Sequence, residues 1–98
     1  MTYNSESHLV VIPTYNEKEN IKILLNELLK LDISVLVVDD NSPDGTKEVV
    51  EDFVNLNSEI HLLNRNLKLG LGSAYRDGFS WGINVDSNFI HFALSIEE

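Results

Sequence analysis

The sequence predicts an α/β fold in which a parallel β-sheet is covered by helices. Two continuous apolar runs, Leu-Val-Val-Ile at residues 9–12 and Val-Leu-Val-Val at residues 35–38, are typical of strands buried on both faces. Weaker runs of the same kind occupy residues 60–63 and 89–92. Helical patterns separate the four runs, and this alternation favours right-handed crossovers and a parallel sheet.

Each of the three intervening segments carries apolar residues at the spacing of one helix face. These positions are Ile21, Leu24, Leu25, Leu28 and Leu29, then Val49, Val50, Phe53 and Val54, and finally Leu71, Ala74, Tyr75, Gly78, Phe79 and Gly82. The third set includes small residues, which would let that helix pack closely on the sheet. The predicted order is therefore strand, helix, strand, helix, strand, helix, strand.

The composition indicates one globular domain over residues 1–98. Hydrophobic residues make up 43% of the chain and charged residues 23%, unlike a disordered segment. Seven Lys and Arg against 16 Asp and Glu give a formal charge of −9, which argues against nucleic acid or an anionic membrane as a partner. Cysteine is absent, which excludes disulfides and thiolate metal sites. Since no targeting or membrane segment is visible, we expect a soluble chain.

Three polar loops each follow a predicted strand and lead into a predicted helix, at residues 13–17, 39–46 and 64–72. Because the carboxyl ends of parallel strands meet at one edge of a sheet, we expect these loops to lie together. Ligands of open α/β sheets bind at this edge, where helix N-termini offer N–H groups to anions. The sequence therefore predicts a binding site there, without specifying the ligand.

The first loop has a structural and a functional interpretation. In the structural one, Pro13 ends the strand because it has no N–H, and Asn16 caps the following helix. Tyr15 is then a packed ring, and Glu17 a carboxylate stabilised by the helix dipole. In the functional one, Tyr15 stacks on a planar base and Glu17 accepts hydrogen bonds from the base or the ribose.

The second loop is acidic and has two interpretations. A turn followed by a helix cap accounts for Asp44. The same interpretation accounts poorly for Asp39 and Asp40, because carboxylates at the end of an apolar strand need partners. A calcium loop is the second: Asp40, Ser42, Asp44, Gly45 and Glu51 occupy positions 1, 3, 5, 6 and 12 of an EF-hand, although a strand precedes them instead of a helix.

The third loop contains Arg65 and Lys68 before a helix that opens with glycine. Both could face a phosphate, or both could be solvated loop charges. A dinucleotide fingerprint is rejected, because Tyr75 stands at the third glycine position and the loop follows the third strand. The sequence also has no Walker A motif.

Taken together, the loops resemble family 2 glycosyltransferases, and most of all the polyprenol (dolichyl) phosphate mannosyltransferases. The resemblance rests on residues 11–20 (VIPTYNEKEN), residues 37–46 (VVDDNSPDGT), and Arg65 with residues 68–75 (KLGLGSAY). It covers nearly the whole chain, which looks like the N-terminal half of such an enzyme.

This resemblance implies the nucleotide-binding half of a GT-A (Rossmann-like) fold, a nucleotide-sugar donor such as GDP-mannose and a polyprenyl phosphate acceptor. By position, Pro13, Tyr15 and Glu17 would line the nucleoside. Val38 and Asp40 would contact the base and ribose, and Lys68 would shape the wall near the donor.

The chain departs from the family after the fourth predicted strand. The family binds a divalent metal (Mg or Mn) and the diphosphate with an Asp-x-Asp motif there, whereas this chain reads Phe-Ala-Leu-Ser-Ile-Glu-Glu at residues 92–98. No catalytic residue or metal ligand can be assigned. In the family, a metal bound to the diphosphate stabilises the departing GDP, and because its binding motif is missing we expect the chain alone to be inactive. The alternative is a non-catalytic nucleotide-binding remnant, or a half-domain that needs a partner chain.

The resemblance also sets expectations about location and stability. It implies a cytoplasmic protein or a peripheral protein on the cytoplasmic face of a membrane, with membrane contact through parts missing from this truncated domain. A four-stranded sheet that stops at residue 92 should expose an apolar edge strand, and we expect a marginally stable fold.

Overall fold

A computed structural model describes residues 8–67 and 69–96 and gives the alternating α/β order that the sequence predicts. The elements are β1 (His8–Thr14), α1 (Lys18–Leu28), β2 (Ser34–Asp39), α2 (Thr46–Leu56), β3 (Ile60–Asn64), α3 (Leu71–Val85) and β4 (Ile90–Ala93). All strand pairs are parallel, and the sheet order is β3-β2-β1-β4. No helix among the described residues is long and apolar enough to cross a membrane.

The helices lie on both faces of the sheet, so β1 and β2 are buried on both sides. Successive side chains of a strand point to opposite faces. Val35 and Val37 of β2 accordingly pack in the cluster that contains the buried residues of α1 and α2, whereas Leu36 and Val38 pack in the cluster of α3. This double burial is the reason that the two strands read as continuous apolar runs.

Helix α3 approaches the sheet closely at two glycines. A Cβ atom at Gly78 would overlap a methyl group of Val11, and one at Gly82 would lie 2.5 Å from Leu9 and from the His91 ring. Any side chain at these positions would push the helix away from the sheet. The prediction of close packing through small residues is therefore confirmed.

The end of β1 differs from the prediction that Pro13 terminates the strand. The strand continues to Thr14, with Pro13 in register with Val38 of β2. The backbone N–H of Leu94 donates to the carbonyl of Val11, so the backbone polar groups of Val11 point toward β4. Those of Pro13, two residues further along the strand, point toward the same side. Since the pairing with β4 ends at Val11, the missing N–H of Pro13 interrupts no ladder.

The N-cap prediction for Asn16 is wrong by one residue, because Glu17 occupies the cap position of α1. Asn16 instead adopts a left-handed backbone conformation with φ of 56°. Its N–H donates to the hydroxyl of Ser42 at 2.9 Å, so the second loop determines the path of the first.

Strand β4 lies at the edge of the sheet and begins at Ile90, one residue later than predicted. Among the described residues it pairs with β1 alone. Ile90 is 37% exposed and Phe92 is 48% exposed. The predicted exposure of an apolar edge strand is therefore confirmed.

Candidate functional site

The three polar loops meet at the carboxyl edge of the sheet, as their positions in the sequence predict. Two adjacent carboxylates at the end of β2, Asp39 and Asp40, connect them. Because β2 lies between β1 and β3, one of its neighbours brings the first loop to these carboxylates and the other brings the third. Consecutive side chains at the end of a strand point to opposite faces, so the two carboxylates meet different partners.

Asp39 joins the first loop to the second. The hydroxyl of Thr14 donates to its Oδ1 at 2.7 Å, and the hydroxyl of Ser42 donates to the same oxygen at 2.7 Å. The backbone N–H of Ser42 donates to Oδ2 at 3.0 Å. Asp39 is fully buried, and hydrogen bonds of this kind stabilise a carboxylate that has lost its water.

A second set of bonds places the start of α1 against the start of α2. The N–H of Glu17 donates to Oγ1 of Thr46 at 3.1 Å, and the N–H of Lys18 donates to Oδ2 of Asp44 at 3.3 Å. The other Asp44 oxygen accepts the N–H of Thr46 at 2.9 Å and also its hydroxyl. Partial desolvation acts to raise the pKa of Asp44, but the hydrogen bonds from Thr46 and Lys18 outweigh it and lower the pKa below its usual value.

Asp40 joins the second loop to the third through a buried ion pair. Nε of Arg65 donates to Oδ1 at 2.7 Å, and Nη2 donates to Oδ2 at 2.8 Å. Asp40 is 6% exposed and Arg65 is 8% exposed. This bidentate geometry is the strong form of an arginine–carboxylate contact.

Helix α3 holds the far side of the same guanidinium. Nη1 of Arg65 donates to the hydroxyl of Ser73 at 2.7 Å and to Oδ2 of Asp77 at 2.9 Å. The hydrogen bond to Asp40 raises the pKa of Arg65 more than burial lowers it, and Asp77 raises it further. Arg65 is therefore neither a solvated loop charge nor a phosphate-facing one, and both sequence interpretations of it are wrong.

The remaining residues of the predicted nucleoside site differ in accessibility. Tyr15, in the first loop, is 37% exposed, whereas the side chains of Pro13 and Val38 are buried in the sheet. Glu17 is 9% exposed, and its Oε1 accepts a hydrogen bond from Nδ2 of Asn20 at 3.1 Å. The structure thus brings these four residues to the same edge as Asp40. Lys68 lies outside the described residues.

The sequence reasoning missed the roles of Ser73 and Asp77. They lie four residues apart on α3 and therefore on one helix face, directly after the loop that carries Arg65. A hydroxyl and a carboxylate at that spacing, near an arginine that follows a strand, were the available signal. The structure also supplies partners for Asp39 and Asp40, so the objection that a structural role explains them poorly does not hold.

The residues that the structure describes do not form a metal site. Across residues 8–67 and 69–96, no group of three or more His, Asp or Glu side chains is arranged to hold an ion. The calcium interpretation of residues 40–51 fails as well, because the Arg65 guanidinium donates a hydrogen bond to each oxygen of Asp40, the first ligand of the proposed loop. The divalent metal that the resemblance implies would need ligands other than these.

Comparison with known proteins identifies a family and several relatives. The family described as glycosyl transferase family 2 matches residues 9–83. Polyprenol monophosphomannose synthase of Mycolicibacterium smegmatis is 41% identical over 78 residues, which are 76% of this chain and 29% of that protein. Undecaprenyl-phosphate mannosyltransferase of Micrococcus luteus is 44% identical over 77 residues, 76% of this chain and 32% of that protein.

A solved structure has the same fold. A mannosyltransferase from Pyrobaculum calidifontis, in complex with GDP-Man and Mn2+, superposes with a TM-score of 0.72 at 25% identity, over 80% of this chain and 25% of that one. The chain thus spans about a third of the length of the curated relatives it matches. Its parallel sheet, its three polar loops and the match over residues 9–83 show that the chain belongs to glycosyl transferase family 2.

Proposed function

We propose that this chain is the nucleotide-sugar-binding part of a mannosyltransferase that transfers mannose from GDP-mannose to a polyprenyl phosphate. The observation that carries the proposal is the convergence of Tyr15, Glu17 and Asp40 at the carboxyl edge of the sheet. Two relatives whose names specify mannosyl transfer to polyprenyl phosphates, and a neighbour bound to GDP-Man, support the choice of substrates.

The chemistry of these loops suits the nucleoside better than the phosphates. Tyr15 offers a partly exposed ring for stacking on a base, and the carboxylates offer acceptors for N–H and hydroxyl groups. Arg65 is fully engaged with Asp40, Ser73 and Asp77, so its charge is already balanced within the protein. The acidic loops are therefore suited to accept hydrogen bonds from the base and the ribose. The net charge of −9 does not oppose a ligand that is bound through its nucleoside.

Calorimetric titration with GDP-mannose tests the proposal. Tyr15→Ala should weaken binding roughly five- to hundredfold, because stacking of a base on an aromatic ring contributes about 1–3 kcal/mol. Leu31→Ala is the matched control, since Leu31 is exposed in the connection between α1 and β2, away from the carboxyl edge of the sheet. If the wild-type chain binds no nucleotide sugar, or both variants bind as the wild type does, the proposed site is wrong.

We further propose that the purified 98-residue chain binds its donor without transferring mannose. The sequence after β4 has no Asp-x-Asp, and the described residues provide no metal-ligand group. Formation of a mannosyl lipid from GDP-mannose and undecaprenyl phosphate with Mn2+ would contradict this expectation.

We propose the cytoplasm, or the cytoplasmic face of a membrane, as the location, because a water-soluble donor and a lipid acceptor would meet there.

A further inference from the structure

The carboxylate of Asp40 is almost saturated by the protein itself. Arg65 donates one hydrogen bond to each of its oxygens, and the backbone N–H of Leu69 donates another to Oδ2 at 3.3 Å. A carboxylate has about four acceptor positions, two on each oxygen. Counted over residues 8–67 and 69–96, these three bonds leave one acceptor position, and it lies on Oδ1.

The orientation of that carboxylate is determined from α3. Arg65 binds Asp40 with one edge of its guanidinium and binds Ser73 and Asp77 through Nη1. Nη2 also donates to the carbonyl of Gly70 at 3.4 Å. A planar group held at both ends cannot rotate, so the carboxylate paired with it is held in one plane as well.

We propose that Arg65 is a positioning residue for nucleotide recognition, which presents a single acceptor of Asp40 to the base while Asp77 and Ser73 hold Arg65 in place. This inference rests on the proposed function and adds to it the residue that orients Asp40. Arg65 occupies the paired face of the carboxylate, and Oδ1 of the carboxylate held in this plane accepts the N1–H of guanine.

The test compares two arginines on neighbouring elements. Arg65→Lys keeps the charge but replaces the planar fork with a point donor, which leaves the carboxylate free to turn. Arg76→Lys makes the same chemical change at an exposed position of α3 and is the matched control. Binding of GDP and of ADP is measured by calorimetry for the full chain, at a temperature where circular dichroism shows every variant to be folded.

The wild-type chain should prefer GDP, because adenine has an acceptor nitrogen where guanine has N1–H. Arg65→Lys should lower GDP affinity roughly ten- to hundredfold, the value of one charge-assisted hydrogen bond, and should lower ADP affinity much less. The ratio of the two affinities is the decisive quantity. A purely structural role would change the melting temperature and leave the ratio of the folded protein unaltered.

If Arg65→Lys does not fold, a second variant tests the positioning role of Arg65. Asp77→Asn keeps an oxygen for Nη1 but removes the charge at a half-exposed position, and should lower the ratio about fivefold. An unchanged ratio in the folded variants would overturn the positioning role and leave the proposed function intact. If the wild-type chain binds neither nucleotide, the proposed function and this inference are both wrong.

Discussion

The central strand β2 and the edge strand β4 both arise from apolar runs but have very different surroundings. The apolar side chains of β2 from Val35 to Val38 are at most 1% exposed, whereas Ile90 and Phe92 of β4 are 37% and 48% exposed. The carboxylates at the end of β2, Asp39 and Asp40, receive partners from both sides, Thr14 at the end of β1 and Arg65 just after β3. An apolar run thus predicts a strand, but its neighbours determine what that strand can bury and which polar groups it can hold.

The largest expected effect is at the carboxylate end of β2. Arg65→Ala would leave Asp40 buried beside no counter-charge, and removing one partner of a buried ion pair costs about 3–5 kcal/mol. Urea unfolding followed by circular dichroism measures the loss. Lys30→Ala, which removes an exposed ion pair with Glu27, is the control and should change the free energy of unfolding by less than about 0.5 kcal/mol. Similar losses in the two variants would contradict the importance of the buried pair.

The second prediction compares the stability that one apolar side chain of β2 and one of β4 contribute. Leu36→Ala empties a fully buried position and should cost about 2–5 kcal/mol. Phe92→Ala removes a half-exposed ring and should cost only about 1 kcal/mol, although more atoms are lost. Urea midpoints of both variants give the ranking. A larger loss for Phe92→Ala would mean that β4 is covered in solution by something that buries it.

The smallest effect is a pH dependence at β3, on the other edge of the sheet. Burial lowers the pKa of His61, which packs 5.0 Å from the Trp81 ring, while the charge of Glu59 partly opposes this shift. The folded protein therefore binds this proton less readily than the unfolded chain does. Stability should decrease as the pH falls below about 6.5, the usual pKa of histidine.

Unfolding free energies at pH 7.5 and pH 5.5 measure this effect, with His61→Gln as the comparison. The difference between the two pH values should be smaller in His61→Gln, since a glutamine does not titrate. An equal difference in the variant would assign the pH dependence to other groups.

The amino-acid sequence alone determined the order of elements, the parallel sheet and the shared location of the three loops. Those features follow from hydrophobic periodicity and from the polarity of parallel strands, which are local or topological properties. The sequence motifs also indicated the family, because the residues that carry the resemblance are contiguous in each loop.

The partners of individual polar side chains were decided by tertiary structure. Asp39 and Asp40 are adjacent in sequence, yet the alternation of the strand directs one to Thr14 and Ser42 and the other to Arg65. The path of the backbone at Asn16 and the roles of Ser73 and Asp77 likewise depend on residues 8 to 26 positions away. The sequence thus determines where charged groups occur, but only the packing of strands and helices determines which of them become paired, and which acceptor remains for a ligand.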